Sequence, residues 1–235
     1  MTSQCDWLRE TSLLNFNEKN IQQLIEQRQW RQFDDYERIG AIYHFVKDEI
    51  MFGYNKQDDL SASDVLADGY GQCNTKSTLF MALLRAMNIE CRLHGFTINK
   101  ALQKGAIPLL LHWLAPPQII HSWVEVYYQN RWLNLEGFIL DRRYLESIQQ
   151  QFSQCEKQFV GYGVATECLQ QPDVDWRGES TYIQRVGISQ DFGVYASPDE
   201  FYREHGTNLY GLKRWLYQYV FRHYINKHVQ RVRQR

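Results

Sequence analysis

Residues 68–92 read Asp68-Gly-Tyr-Gly-Gln-Cys73-Asn-Thr-Lys-Ser-Thr-Leu-Phe-Met-Ala-Leu-Leu-Arg85-Ala-Met-Asn88-Ile-Glu-Cys-Arg92. Glycines at 69 and 71 permit a tight turn. From Asn74 to Met87 the pattern is helical, with Leu79, Phe80, Leu83 and Leu84 on one side and Lys76 and Arg85 elsewhere. Asn88 suits a left-handed stop, and Ile89 to Ile98 reads as a strand. Cys73 therefore stands where a glycine turn meets a helix. The unpaired N–H groups and dipole of a helix start favour thiolate over thiol. The N–H of Cys73 itself is free of the helical ladder and suited to an oxyanion. The competing reading is a buried cysteine that merely opens a core helix.

Downstream, His121-Ser-Trp-Val-Glu-Val-Tyr-Tyr reads as a strand, and Gln129-Asn130 as the turn of a hairpin. That register sets Trp123 opposite Glu136 and His121 opposite Phe138. His121 and Glu136 then share a face as diagonal neighbours, roughly 7–8 Å apart at the backbone. Asp141 has the wrong parity, although a bulge after Phe138 would bring it round as an alternative acid. Cys73, His121 and Glu136 make a thiol triad: nucleophile, general base then acid, and orienting carboxylate. The plainer reading of the last two is a satisfied strand histidine and a cross-strand polar residue.

Gly71-Gln-Cys73-Asn-Thr-Lys, then Leu83-Leu-Arg85-Ala-Met-Asn88-Ile89-Glu-Cys-Arg92, resembles the transglutaminase-like core. His121-Ser-Trp-Val-Glu-Val followed by Arg131-Trp-Leu-Asn-Leu-Glu136 is similar to that family's His-bearing strand and its successor. The resemblance covers residues 54–141. It departs in three places: Glu136 stands for the usual Asp, Gly137 for a common Pro, and Asn88 for Gly. The resemblance implies a papain-like α+β fold, in which the cysteine-bearing helix packs on an antiparallel β-sheet. It implies acyl transfer through a thioester, with the carboxylate at Glu136 or Asp141.

Around this core, residues 18–30 and 35–50 carry apolar stripes at helical spacing, the second through Tyr36, Ile39, Ile42, Tyr43, Val46 and Ile50. Ser63 or Asp64 is placed to cap a short helix. Residues 99–120, with Pro108, Pro116 and Pro117, read as a long irregular loop of the kind that forms lids. Residues 150–200 read as irregular or short strands. Residues 207–234 read as helix, with Leu212, Trp215, Leu216, Tyr219, Val220 and Ile225 packed and a basic complement from Lys213 to Arg235. No linker separates this extension, so residues 1–235 are expected to form a single domain: a core at about 54–141 and a C-terminal extension at about 142–235. The tail is expected not to take part in the chemistry.

Near the nucleophile, Gln72 and Tyr54 are candidates for oxyanion or substrate contacts, and Trp123 for a wall of the cleft. His94, His112 and His121 have spacings unlike a compact zinc site, so no metal or other cofactor is expected. The net charge of −1, from 26 basic and 27 acidic residues, disfavours a nucleic-acid partner despite the basic tail. The start of the chain lacks the basic and apolar regions of a secretory signal, and no apolar run is long enough to span a bilayer. With five irregularly spaced cysteines, this points to reduced thiols in a cytoplasmic protein. The expected partner is a protein, peptide or small amide substrate. Hydrolysis is the first reading of the reaction, because water is always available as second nucleophile. Transglutaminase-type amine transfer and a catalytically silent binding module are the alternatives.

Overall fold

The computed structural model describes residues 4–209 and 211–235. Met1 to Ser3, read above for a leader, and the side chain of Leu212 lie outside the described set. The chain begins with helices α1 (Lys19–Arg28) and α2 (Asp35–His44), the latter opened by an Asp34 capping box and extended by a π-helical turn to Glu49. Strand β1 (Met51–Phe52), helix α3 (Ala62–Asp68) and strand β2 (Tyr70–Gly71) lead into α4 (Cys73–Ala86). The cap of α3 is Ser61, two residues before Ser63 and three before Asp64: its hydroxyl accepts from the Asp64 N–H at 3.3 Å.

Next come β3 (Cys91–Asn99), α5 (Leu109–Leu114), β4 (Gln118–Tyr128), β5 (Arg131–Leu135) and α6 (Arg142–Gln151). A small hairpin, β6 (Phe159–Gly161) with β7 (Val164–Thr166), precedes β8 (Ile188–Tyr195). Helices α7 (Pro198–His205), α8 (Gly211–Leu216) and α9 (Arg222–Arg233) close the chain, the last two joined by a π-helical turn at Tyr217–Phe221.

The main sheet is antiparallel in the order β5-β4-β3-β8. The β4–β5 hairpin turns at Gln129 and Asn130, both at positive φ, and pairs Val124 with Leu135 and Tyr128 with Arg131. This is the expected register. Asn88 is left-handed, at φ 59°, as expected of the stop after α4. The architecture is α+β, with the cysteine-bearing helix packed on β3 and β4.

Two features differ from the reading of sequence. Helix α4 is enclosed on all sides, not half-buried: Asn74, Thr75, Lys76, Ser77, Thr78 and Arg85 are as buried as its leucines. Burial of the leucines alone is worth about 1.5–3 kcal/mol each. Carbonyls meet the Lys76 ammonium and both terminal nitrogens of Arg85, while Arg85 Nε has no partner among the described residues. Lys76 Nζ donates to Lys47 O and Ile139 O at 3.1 and 3.0 Å, and the Arg85 guanidinium to Arg9 O, Cys91 O and Ala196 O. Burial pulls the Lys76 pKa down to about 7. Second, residues 99–120 are not irregular throughout: Pro108 begins α5, and β4 starts at Gln118. One hydrophobic cluster runs from Leu14 to Val232, so the terminal helices share the core of the central sheet.

Candidate active site

The turn before Cys73 is built by Asn55. Its Nδ2 donates to Asp68 Oδ2 and Tyr70 O at 2.8 and 2.9 Å, and its Oδ1 accepts from Thr75 Oγ1 at 2.6 Å. Position 71 admits only glycine without rearrangement, because a Cβ there would lie 2.7 Å from Thr75 Oγ1. Gln72 caps α4, and its N–H donates to Thr75 Oγ1 at 3.1 Å. Cys73 is thus the first helical residue, 8% exposed, with an N–H that has no acceptor within its helix.

Asn74 ties this helix end to the strand that carries His121. Its Nδ2 donates to Ile120 O at 3.0 Å, and its Oδ1 accepts from Ser122 Oγ at 3.0 Å. The residue after Cys73 therefore holds both neighbours of His121, which fixes thiol and imidazole relative to each other.

His121 and Glu136 are fully buried. His121 Nε2 lies 2.9 Å from Glu136 Oε1. The other Glu136 oxygen accepts from the N–H groups of Ile183 and Gln184 at 3.0 and 2.9 Å. The carboxylate is clamped just beyond the end of β5, where the residue after it must be small: a Cβ at Gly137 would lie 2.5 Å from the Tyr43 hydroxyl oxygen. Nδ1 of His121 has no hydrogen-bond partner of ordinary geometry among the described residues. Burial pulls the imidazole pKa down, yet the charge and proximity of Cys73, then of Glu136, outweigh it and push it up to about 10.

Asp141, the alternative acid, is placed elsewhere. It caps α6 through the Tyr144 N–H, accepts from the Phe52 N–H, and forms an ion pair with Arg233 at 2.7 Å. Burial raises its pKa, but Arg233 outweighs burial and holds the carboxyl below the usual range. It has no contact with His121.

Cys73 opens on a cavity of about 380 Å³. Gln72 and Tyr54 line it. Gln72 Nε2 donates to Asp58 at 3.2 Å and its Oε1 accepts from the Asn55 N–H. Burial, and secondarily the charge of Cys73, raise the Tyr54 phenol pKa, so its hydroxyl keeps its proton as a donor. Trp123 does not line the cavity. It packs on Phe96 with ring centres 4.1 Å apart, and lies edge-on to Tyr182 at 5.9 Å. The three histidines weighed as metal ligands serve separate ends: His94 bridges Glu125 and Asp191, and His112 meets Lys100 O.

Two contributors were not foreseen. Asp58 accepts from Gln72, Asn74 and twice from Asn208, and so ties the Cys73 turn to the loop after α7. The C-terminal helices are the second. Leu216, Tyr217, Phe221 and Ile225 line the cavity, Tyr217 Oη donates to Asn55 O at 3.0 Å, and the Asn226 side chain grips the backbone of Tyr54 in both directions. The segment expected to stand apart from the chemistry walls the cavity beside the nucleophile. Arg233, counted with the exposed basic complement, is instead buried against Asp141.

The fold and this constellation bring a thiol, an imidazole and a carboxylate together beside one cavity. The family description Transglutaminase-like superfamily matches residues 23–137 of this chain. No curated protein gives a significant match. A crystal structure described as a candidate cysteine protease from Cytophaga hutchinsonii aligns at 13% identity and a TM-score of 0.48, over 83% of this chain and 48% of the other; this chain thus spans about half that protein's length. No helix among the described residues is long and apolar enough to cross a membrane.

Proposed function

We propose that the chain acts as one domain and is a thiol hydrolase of amide or peptide bonds, with Cys73 as nucleophile, His121 as general base and acid, and Glu136 as the orienting carboxylate. The observation that carries this reading is the division of the imidazole. Nε2 is held by Glu136, which leaves Nδ1 for the thiol, at a helix start that opens on a cavity. In the first step the Cys73 sulfur attacks the carbonyl carbon, and the C–S bond forms. The oxyanion is met by the Cys73 N–H, with Tyr54 Oη or Gln72 Nε2 as second donor. The C–N bond then breaks as His121 gives its proton to the departing nitrogen. In the second step His121 takes a proton from water, the resulting hydroxide cleaves the thioester, and the carboxylic acid leaves with the thiol restored.

The test is to incubate the protein with activated amide and thioester probes and map the adduct by mass spectrometry. An acyl group on Cys73 that turns over in wild type, and accumulates or fails to form in His121→Ala, is the expected result. Full turnover by Cys73→Ala would refute the reading.

A further inference from the structure

The cavity beside Cys73 is graded. Its buried wall is apolar: Phe52, Ile98, Leu102, Ile107, Ile119 and Ile225 are all less than 8% exposed. Its exposed rim carries cations, among them Lys56 and Lys213. The apolar wall comes from distant segments, namely β1, β3 and the turn after it, β4 and α9. Ile98, Leu102 and Ile119 form a satellite cluster apart from the main core. A glutamine side chain ends in an amide that needs several hydrogen bonds, and burying it here would leave most of them unmade, at a cost of about 1–3 kcal/mol each. One acceptor does stand free in this wall: Gln184 Oε1 is buried and has no hydrogen-bond partner among the described residues, while its Nε2 is spent on Gly163 O.

We infer that the cavity receives the acyl side of the substrate, and that this acyl group is bulky and apolar. The inference rests on the thiol-hydrolase reading above and names the substrate class of that site. The acyl carbon lies at Cys73, its apolar substituent fills the wall of isoleucines and leucine, and the departing amine leaves towards the rim. Transfer of the acyl group to sulfur breaks the C–N bond and sends the nitrogen out with the His121 proton. Water then releases the apolar carboxylic acid. Such an acyl group has two sources, an aliphatic chain or a large apolar amino-acid residue. The second carries an amide N–H suited to Gln184 Oε1.

The experiment compares four aminocoumarin amides with one leaving group: acetyl, decanoyl, N-acetyl-phenylalanyl and γ-glutamyl. Release of coumarin gives kcat/KM, and mass spectrometry of the quenched enzyme reports acyl-Cys73. Either apolar acyl group should exceed both acetyl and γ-glutamyl by tenfold or more. A lead for decanoyl identifies the aliphatic source, and a lead for phenylalanyl the peptidyl source. In Ile119→Trp and in Leu102→Trp, each checked for a native melting transition, the apolar-to-acetyl ratio should fall at least tenfold as the indole fills the space. Cys73 acylated by all four at similar rates, or fastest by acetyl or γ-glutamyl, would overturn the inference and leave the thiol mechanism standing. No acylation of Cys73 by any probe would overturn both.

Discussion

Glu136 and Asp141 are five positions apart in the chain and similarly buried, yet they serve different regions. Glu136 turns to the sheet and holds His121, with its second oxygen locked by the N–H groups of Ile183 and Gln184. Asp141 turns the other way, starts α6 and anchors Arg233 of α9. Each carboxylate takes both a charged or ionisable side chain and backbone donors. The difference is where the partner leads: one to the thiol, the other to the helix that walls the cavity. Burial and hydrogen-bond satisfaction alone therefore do not distinguish a carboxylate that holds the imidazole from an architectural one. The destination of the partner does.

The comparison can be broken by substitution. The largest effect is expected at the thiol: Cys73→Ala should reduce turnover to background while the melting temperature stays near wild type. Glu136→Gln keeps the shape but spoils the imidazole tautomer, so kcat should fall about 10³–10⁴-fold. Asp141→Asn should do the reverse. It leaves Arg233 buried without its counter-charge, at a cost of about 3–5 kcal/mol in urea unfolding, with activity per folded molecule within tenfold. Equal losses of kcat in the two variants would erase the distinction.

The pH dependence sharpens it. The His121 imidazole holds its proton more tightly folded than unfolded, up to about 10 against an ordinary 6.5. Proton binding therefore stabilises the fold fully below pH 6.5, and this contribution is lost as pH rises through about 10. The stability gap between wild type and His121→Gln should narrow over that window, as read from urea midpoints at pH 6, 8 and 10. The smallest effect is expected in the wall. Tyr217→Phe removes one hydrogen bond to Asn55 O and should cost about 0.5–1.5 kcal/mol. A kcat loss as large as that of Glu136→Gln would place Tyr217 with the chemistry instead.

The legible parts of this site were local. Cys73 could be read from its turn and helix, and Glu136 from hairpin parity, because period and turn residues set a register over fewer than about twenty residues. What could not be read came from long separations. Asp58 meets Asn208 across 150 positions, and Asn226 meets Tyr54 across 172. No periodicity encodes such contacts. Strand β8, within a stretch read only as irregular or short strands, was hard to place for another reason. It is an edge strand of the sheet, and its Ser189, Gln190 and Asp191 break the apolar alternation that marks a half-buried strand. The cations of the tail were read together as a basic complement to the packed face, whereas Arg233 turns inward to Asp141. Charge in the sequence does not say which arginine finds a buried carboxylate.

The wide π-helical turn at Tyr217–Phe221 makes the response of the C-terminal helices to single-residue length changes depend on where the change falls. In a regular helix each residue advances the chain by about 100°. Deleting one residue within the wide turn, such as Gln218, would let it close to a regular helix with the later residues facing as before. Deleting one from α9, such as His223, would instead rotate everything after it by roughly that angle. Asn226 would lose the backbone of Tyr54, Ile225 would leave the cavity, and Arg233 would swing off Asp141. The α9 deletion variant is expected to keep its helical circular dichroism while its urea midpoint and acylation rate fall together. A variant of unchanged midpoint would mean that the register can be recovered elsewhere. Helix α9 should thus accept many changes of residue type yet few changes of length, while the turn before it tolerates the loss of a residue.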